Sequence, residues 1–344
     1  MKLIKTVDAE GHVLCHDITR IIPGKEKGPV FKKGHIVTKE DIPVLLSVGK
    51  ENLYVWENNE NMLHENDAAQ ILCDICIGNQ KEFQVSDPSE GKIEIRAGID
   101  GLLKIDREKL FAVNSLGEMM IASVHGDFYV RKGSKIAGTR IIPLVIEKEK
   151  MENARKAAGE KPIFSLLPLA HPQTAIVTTG SEVKKGLIKD AFGPVLRAKL
   201  SEYNVDAYDQ TIVGDGKEEI KDAILSAVSS GAEMILVSGG MSVDPDDNTP
   251  GAIKLCGADI ITYGAPVLPG AMLLVSYLKT ENREIPIIGL PGCVMYAKRT
   301  VFDLLLPRIL AGERLSAEDI AKFGEGGLCL NCEVCRFPDC GFGK

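Results

Sequence analysis

The sequence predicts an α/β protein: a three-layer domain with a mostly parallel sheet over residues 173–315, a smaller N-terminal α+β or β-rich domain over 1–150, a linker over 151–172 and a Cys-rich tail over 316–344. Three observations carry this reading. From Gln173 onward, apolar runs alternate with helical spacing and each run ends in a glycine-bearing loop, the grammar of a parallel sheet covered on both faces. Residues 90–147 return to period-two alternation, as in "GKIEIRAGIDGLLKID". Four of the nine cysteines fall in the last sixteen residues.

Taken in order, "HVLCHDITRII" and "ENLYVWE" read as short strands around "FKKGHIVTKEDIPVLLSVGK", a turn and then a helix capped near Thr38 with Glu40 and Asp41 in its first turn. "NENMLHENDAAQILCDIC" reads as a second helix, and "KEKMENARKAAGEKP" as a charged helix leading into the linker. In the second half "TAIVTTG" is a buried strand, and "LIKDAFGPVLRAKLSEYN" is a helix interrupted near Gly193 and Pro194. "VDAYDQTIV" is a strand, "KEEIKDAILSAVSSG" a helix stopped at Gly231, and "AEMILVSGG" the next strand. "PIIGLPG" then feeds the helix "VMYAKRTVFDLLLPRIL".

Composition narrows the function classes. With 344 residues, 44% apolar and 26% charged, the chain has room for two or three domains and a sizeable core. A net charge of -7 argues against a surface that grips nucleic acid. No apolar run reaches the ~18 residues of a membrane span and no signal segment is visible, so a cytoplasmic setting is expected. An odd cysteine count points to reduced thiols.

In an open parallel sheet, ligands bind beyond the carboxyl ends of the strands. Those ends here carry "TTGSEV", "VGDG", "VSGGMSVDPDD" and "GLPGC". Neither G-x-G-x-x-G nor G-x-x-x-x-G-K-[ST] occurs at these loops, so dinucleotide and P-loop chemistry are unsupported. Bare backbone amides suit an oxyanion. The crowded Asp244, Asp246 and Asp247 suit a hard divalent cation, Mg²⁺, bridging carboxylate and phosphate.

Residues 173–312 resemble the molybdopterin-binding domain of MoeA-, MogA- and MoaB-type molybdenum-cofactor proteins, on "TTGSEV" followed by Asp190, "VGDGKEEI", "SGGMSVDPDDNTPGAI", "VLPGAMLLV" and "GLPGCVMYAKRTVFDLLLPRILAGE". "FKKGHIVTKEDIPVLLSVGKENLYV" resembles part of the MoeA-type N-terminal region. The resemblance implies molybdopterin and molybdate as ligands, Mg²⁺ as metal, and molybdate insertion into molybdopterin or its adenylylated form. It implies a homo-oligomer, dimer or trimer, and a molybdoenzyme as recipient. Asp247 falls where the family has its essential aspartate and Asp215 where it has a loop acidic residue, and the two are the expected catalytic metal ligands. Asp190 matches a further family aspartate. Thr179, Gly180, Ser181, Glu182, Gly239, Gly240, Ser242, Pro291 and Gly292 match the loops that cradle the pterin and its phosphate. The chain departs from the family at Asp244, usually glycine, at Asp246, and at Cys293–Val294, where Asn-Pro or Ser-Pro follows "PG". The N-terminal region is shorter. Those departures support a rival reading, a non-catalytic carrier or sensor of the finished cofactor.

Other residues carry weaker signals. Cys293, ahead of a helix, is either a low-pKa thiolate or a small buried residue. Cys73 and Cys76 share a helix face and read as core. His16, Asp17 and His35 beside Lys25, Lys27, Lys32 and Lys33 form either a basic lip for an anion or a solvated loop. Cys329, Cys332, Cys335 and Cys340, spaced C-x2-C-x2-C-x4-C, can wrap Zn²⁺ or an iron–sulfur cluster. A redox or metal-handling protein built around them is a second rival.

Overall fold

Six apolar runs of the C-terminal half form one sheet: β1 (Thr174–Thr179), β2 (Ala207–Val213), β3 (Met234–Ser238), β4 (Asp259–Tyr263), β5 (Leu274–Lys279) and β6 (Glu284–Leu290). This is a computed structural model, and it describes residues 2–22, 26–55, 61–242, 244 and 247–344. Lys25 and Asp246, and the side chain of Lys27, lie outside the described residues. The strand order is β2-β1-β3-β6-β5-β4. The first four run parallel, and β5 and β4 complete the sheet antiparallel, so it is mostly parallel.

Alternation along these strands builds two cores. Ile176, Leu236, Val275, Ile288 and Leu290 face α1 (Phe192–Ser201), α4 (Val301–Leu310) and α5 (Ala317–Ala321). Ala175, Val177, Ile235, Val237 and Ile287 face α2 (Lys217–Ser229) and α3 (Thr249–Leu255). A sheet buried on both faces must be apolar throughout, and every residue of β1 and β3 is buried.

Two helix starts differ from the sequence reading. The helix expected to be interrupted near Gly193 begins there instead, because Asp190 caps it. Its carboxylate accepts the amides of Phe192 at 2.9 Å and Gly193 at 3.1 Å, and Pro194, lacking an N–H, is harmless in a first turn. A Cβ on Gly193 would sit 2.5 Å from that carboxylate. The helix expected to run from Val294 is split. Gly292–Met295 is a single 3-10 turn, and α4 starts at Val301, where Thr300 and Asp303 form a capping box.

Asp303 has a second task. Lys199, from α1, donates to both of its carboxylate oxygens at 2.7 and 2.8 Å, with the two side chains 7% and 2% exposed. Arg299 adds a bond at 2.8 Å, and Lys199 also reaches the carbonyl of Lys298 at 3.3 Å. The buried charges thus lock α1 to the segment entering α4.

The other compact unit comprises the chain up to Ile99, with Lys104–Val124 and Arg131–Leu166. Strands Lys2–Lys5 and Asn52–Val55 pair antiparallel beside a small core of Leu14, Ile18, Val37, Leu45 and Leu53. Further along, a four-stranded antiparallel sheet runs in the order Phe83–Val85, Lys92–Ala97, Lys135–Ile141, Met119–Ser123. The helix expected near Thr38 spans Asp41–Ser47. Its start is set by Asp41, whose carboxylate accepts the amide of Thr38 at 2.8 Å. The helix expected from residue 59 begins at Glu65, since Met62–His64 pairs as a strand with Val145–Glu147 and His64 caps the helix. Cys73 and Cys76 are buried on that helix, and burial pushes the Cys73 thiol up to about 11 and Cys76 well above its ordinary value. They are core residues. The segment expected to open the linker is helical through Ala158, with Met151, Ala154 and Ala158 buried on one face. Among the described residues no helix is long and apolar enough to cross a membrane.

Two stability predictions follow from these caps and charges. Asp303→Ala leaves Lys199 buried without its partner and should cost about 3–5 kcal/mol in urea unfolding. A loss under about 1 kcal/mol would remove the pair as a clamp. At the start of α5, Asp319 sits at about 2. Burial opposes this shift, and bonds from Ser316 and Arg308 outweigh it. Its folded value lies below the unfolded one, so its stabilisation is present above about pH 4 and is lost as pH falls toward the folded value. Asp319→Asn should therefore cost about 1 kcal/mol at neutral pH, with wild type and variant converging in acid.

Candidate functional site

The loop after β3 lies where a side chain cannot. Gly239 and Gly240 have φ of 90° and 58°, and a Cβ on Gly239 would stand 2.5 Å from the Thr179 carbonyl oxygen. A Cβ on Gly240 would stand 2.8 Å from Thr249 Oγ1. Thr249, at the start of α3, fixes the turn by donating its hydroxyl to the Gly239 carbonyl at 2.8 Å. The glycine pair therefore presses the end of β3 directly onto the end of β1. Thr179 Oγ1, at this junction, is buried without a hydrogen-bond partner among the described residues.

Beyond the pair, the chain doubles back so that the Ser242 amide donates to Asp247 Oδ2 at 2.8 Å, and the Asp247 amide to the Asp244 carbonyl at 2.9 Å. Tyr263, from β4, buttresses the turn through a bond to the Met241 carbonyl at 2.8 Å. Burial, and next the nearby Asp247 charge, raise the Tyr263 hydroxyl above its ordinary value.

Four segments line a cavity of about 780 Å³: the loop carrying Gly239, Gly240, Ser242 and Asp247, the turn carrying Pro291, Gly292 and Cys293, the stretch Leu268–Met272, and Leu328 with Cys329. Of the expected site residues, Gly239, Gly240, Ser242, Asp247, Pro291 and Gly292 line it together. Thr179, Gly180, Ser181, Glu182, Asp190 and Asp215 are not among the lining residues. Their places are structural in part. Asp215 accepts the Ser181 amide at 2.8 Å, its carbonyl accepts from Asn248 at 3.0 Å, and Asp190 caps α1 and binds Gln210. Asp215 is thus tied to the residue after Asp247 through the Asn248 side chain, while Asp247 alone of the two lines the cavity.

Sequence reasoning missed Pro269, Gly270 and Met272 as lining residues, although "VLPGAMLLV" was part of the resemblance. A Cβ on Gly270, with φ 125°, would meet Val301 Cγ1 at 2.4 Å, so this wall is pressed against the start of α4. The exposed Tyr296 and Leu328 form an apolar rim. Asp247 is the single charged group among the described lining residues.

Cys293 lies in the 3-10 turn and not at the start of a helix, and burial raises its thiol above the ordinary value. Both observations favour the reading of Cys293 as a small, partly buried residue, and the longer helix starts eight residues on, at Val301. In the N-terminal unit, His35 Nε2 stands 2.6 Å from Asp41 Oδ2 and Asp17 accepts the Lys33 amide at 2.7 Å. His16 is lowered first by burial and then by Lys50. His35 and Asp17 are held within their own loop, whereas His16 Nδ1 is buried without a hydrogen-bond partner among the described residues. Among the described residues no three His, Cys, Asp or Glu side chains are already placed to hold one metal ion.

A parallel sheet with ligand loops at its carboxyl edge defines the class, an α/β binding domain of the doubly covered kind. Residues 175–311 match the family model described as "Probable molybdopterin binding domain". Residues 3–57 match a family described as a domain of unknown function (DUF8806). A curated Streptococcus pneumoniae protein that carries the name competence-damage inducible protein is 26% identical over 183 residues, covering 44% of each chain. The chain thus spans under half the length of the curated relatives it matches. Among solved structures, the tungsten cofactor synthesizing protein MoaB from Pyrococcus furiosus is similar at 19% identity and TM-score 0.35, covering 42% of this chain and 98% of that one. The molybdopterin biosynthesis Mog protein from Mycobacterium ulcerans is similar at 20% identity and TM-score 0.34, covering 44% and 99%.

The glycine sterics give a paired test. Gly239→Ala should destabilise the domain by about 1–3 kcal/mol, since both a positive φ and a carbonyl oppose the methyl group. Gly292→Ala, whose Cβ would meet only Met295 at 4.0 Å, should leave stability within about 0.5 kcal/mol of wild type. Equal thermal shifts for the two variants would refute this account of the loop.

Proposed function

We propose that the cavity binds molybdopterin and that the chain acts in molybdenum-cofactor assembly, inserting molybdate into molybdopterin or its adenylylated form with Mg²⁺. The observation that carries this reading is the convergence of loops from a domain that matches the molybdopterin-binding family model on one cavity, with Asp247 the single carboxylate among the described lining residues.

The residues fit such a ligand. The rim of Tyr296, Leu268 and Leu328 offers apolar and aromatic surface to a flat heterocycle. The backbone of the Gly239–Gly240 turn can approach an anion closely, because no side chain intervenes. The unpartnered Thr179 hydroxyl lies behind that turn. Asp247 fits a hard cation. One of its oxygens is held by the Ser242 amide, so the carboxylate is oriented before any ion arrives. When bound, Mg²⁺ would neutralise phosphate charge alongside Asp247. Asp215 acts on this reading as a positioning residue, holding the Ser181 and Asn248 loops. A cytoplasmic homo-oligomer handing cofactor to a molybdoenzyme belongs to the same proposal.

A second reading, a carrier or sensor that holds the finished cofactor without chemistry, is favoured by the placement of Asp215 away from the cavity lining. Asp247→Asn separates the two. The amide keeps shape and loses the ligand charge, so molybdopterin binding by calorimetry should persist while Mg²⁺-dependent insertion falls on the order of 10²-fold or more. Unchanged insertion would exclude Asp247 as a metal ligand, and absence of insertion in the wild-type protein with intact binding would favour the carrier. Mass spectrometry of the small molecule retained on purification tests the ligand directly.

A further inference from the structure

The tail that the sequence presents as a string of cysteines is docked on the C-terminal unit. Leu268 and Leu328 form a parallel bridge, with the Leu268 amide bonded to the Gly327 carbonyl and the Cys329 amide to the Leu268 carbonyl, both at 2.8 Å. Phe342 is 4% exposed in the core that α1 and α4 share. Three tail glycines sit where a Cβ has no room: one on Gly327 would stand 2.3 Å from the Phe323 carbonyl oxygen, one on Gly343 2.4 Å from Leu304, and one on Gly326 2.1 Å from Lys344. Such close approach is the signature of a built element.

All four cysteines line one cavity of about 320 Å³ in this docked segment. Cys329 and Cys340 are half-buried and packed against the core, whereas Cys332 and Cys335 are exposed on a stretch without helix or strand. Among the described residues no three of these thiols already stand around one point, so a metal would draw the two exposed thiols, on their irregular backbone, toward the anchored pair. The surroundings are cationic. Lys298 donates to the Glu333 carbonyl at 2.7 Å and the Cys332 carbonyl at 3.4 Å, holding an ammonium against the loop. Arg336 also lines the cavity. Arg299 covers the Phe337 ring at 5.0 Å, although its charge is already matched by Glu202 and Asp303.

We propose that Cys329, Cys332, Cys335 and Cys340 form a tetrathiolate site for one metal centre, a zinc ion or an iron–sulfur cluster. Four deprotonated thiols around such a centre leave net negative charge, which Lys298 and Arg336 compensate. Binding releases the thiol protons to solvent and draws Cys332 and Cys335 onto the anchored pair, so metal binding and local folding are one event. Nothing in this proposal depends on what the larger cavity binds. The two sites nonetheless share a wall, since Pro269, Leu328 and Cys329 line both cavities.

The test uses the full chain purified anaerobically, with zinc and iron measured per chain and the visible spectrum recorded. About one zinc, or an iron–sulfur absorption band with matching iron and sulfide, is expected. Adding Co²⁺ to chelator-stripped protein should give the intense thiolate-to-metal bands of a tetrahedral sulfur site. Cys332→Ser/Cys335→Ser changes only exposed positions, so its circular dichroism should match wild type while metal and cobalt bands are lost. A metal-free wild type with freely titrating tail thiols, tail disulfides formed under anaerobic conditions, or full metal retention by the double variant would each overturn the proposal.

Discussion

The buried contact between Lys199 and Asp303 is the constraint on which the C-terminal unit turns. Two charges that lose water must be matched by geometry, or the desolvation cost exceeds their attraction. Here they are matched several times over, because Asp303 also accepts from the Thr300 amide at 2.7 Å and from Arg299. That convergence fixes where α4 begins, and so fixes the ten residues between Pro291 and Thr300 as a turn and loop, not as helix. Pro291, Gly292 and Cys293 form a cavity wall because the helix starts late.

The opposite wall is shaped by absence of side chains. Gly239, Gly240 and Gly270 stand where a methyl group would meet backbone or packed side chain, so three stretches of main chain come together with little between them. Gly289 in β6 belongs to the same set, since a Cβ there would meet Met241 at 2.8 Å. In a cavity otherwise lined by apolar side chains such as Met241, Met272 and Tyr296, these glycine stretches present a few backbone groups of fixed direction, the arrangement that orients a ligand. Among the described lining residues, Asp247 alone carries a charge.

The tail extends one edge of this frame. Its bridge to Leu268 continues the segment that forms the cavity wall, and its aromatic residues enter the core on the α4 face. A metal that ordered Cys332 and Cys335 would act on residues already contiguous with that wall. The elements that define the larger cavity and those that hold the tail are thus stabilised by the same packing.

Much was legible in the residues alone. Alternating β and α runs gave the parallel sheet, since a strand buried on both faces must be a continuous apolar run, and β1 and β3 are such runs. Glycine-bearing loops at strand ends gave the side of the sheet on which Gly239, Gly240, Pro291 and Gly292 would meet, and Asp247 with them. The sequence alone determined, therefore, the fold class and the edge that carries the loops, and it offered Asp247 and Asp215 together as the expected acidic pair. Only the tertiary structure decided which residues stand on the wall. Asp190, Asp215 and Asp247 look alike in a string of letters and each accepts a backbone amide, but of the three Asp247 alone is among the residues that line the cavity. Lys199 lies 104 residues from Asp303, and no local pattern announces that pairing. Helix starts at Glu65, Phe192 and Val301 were likewise set by side-chain caps that compete with propensity only once the chain is folded. Periodicity reports which face of an element is buried, whereas a site depends on which distant groups share that burial, and that is a property of the packed chain.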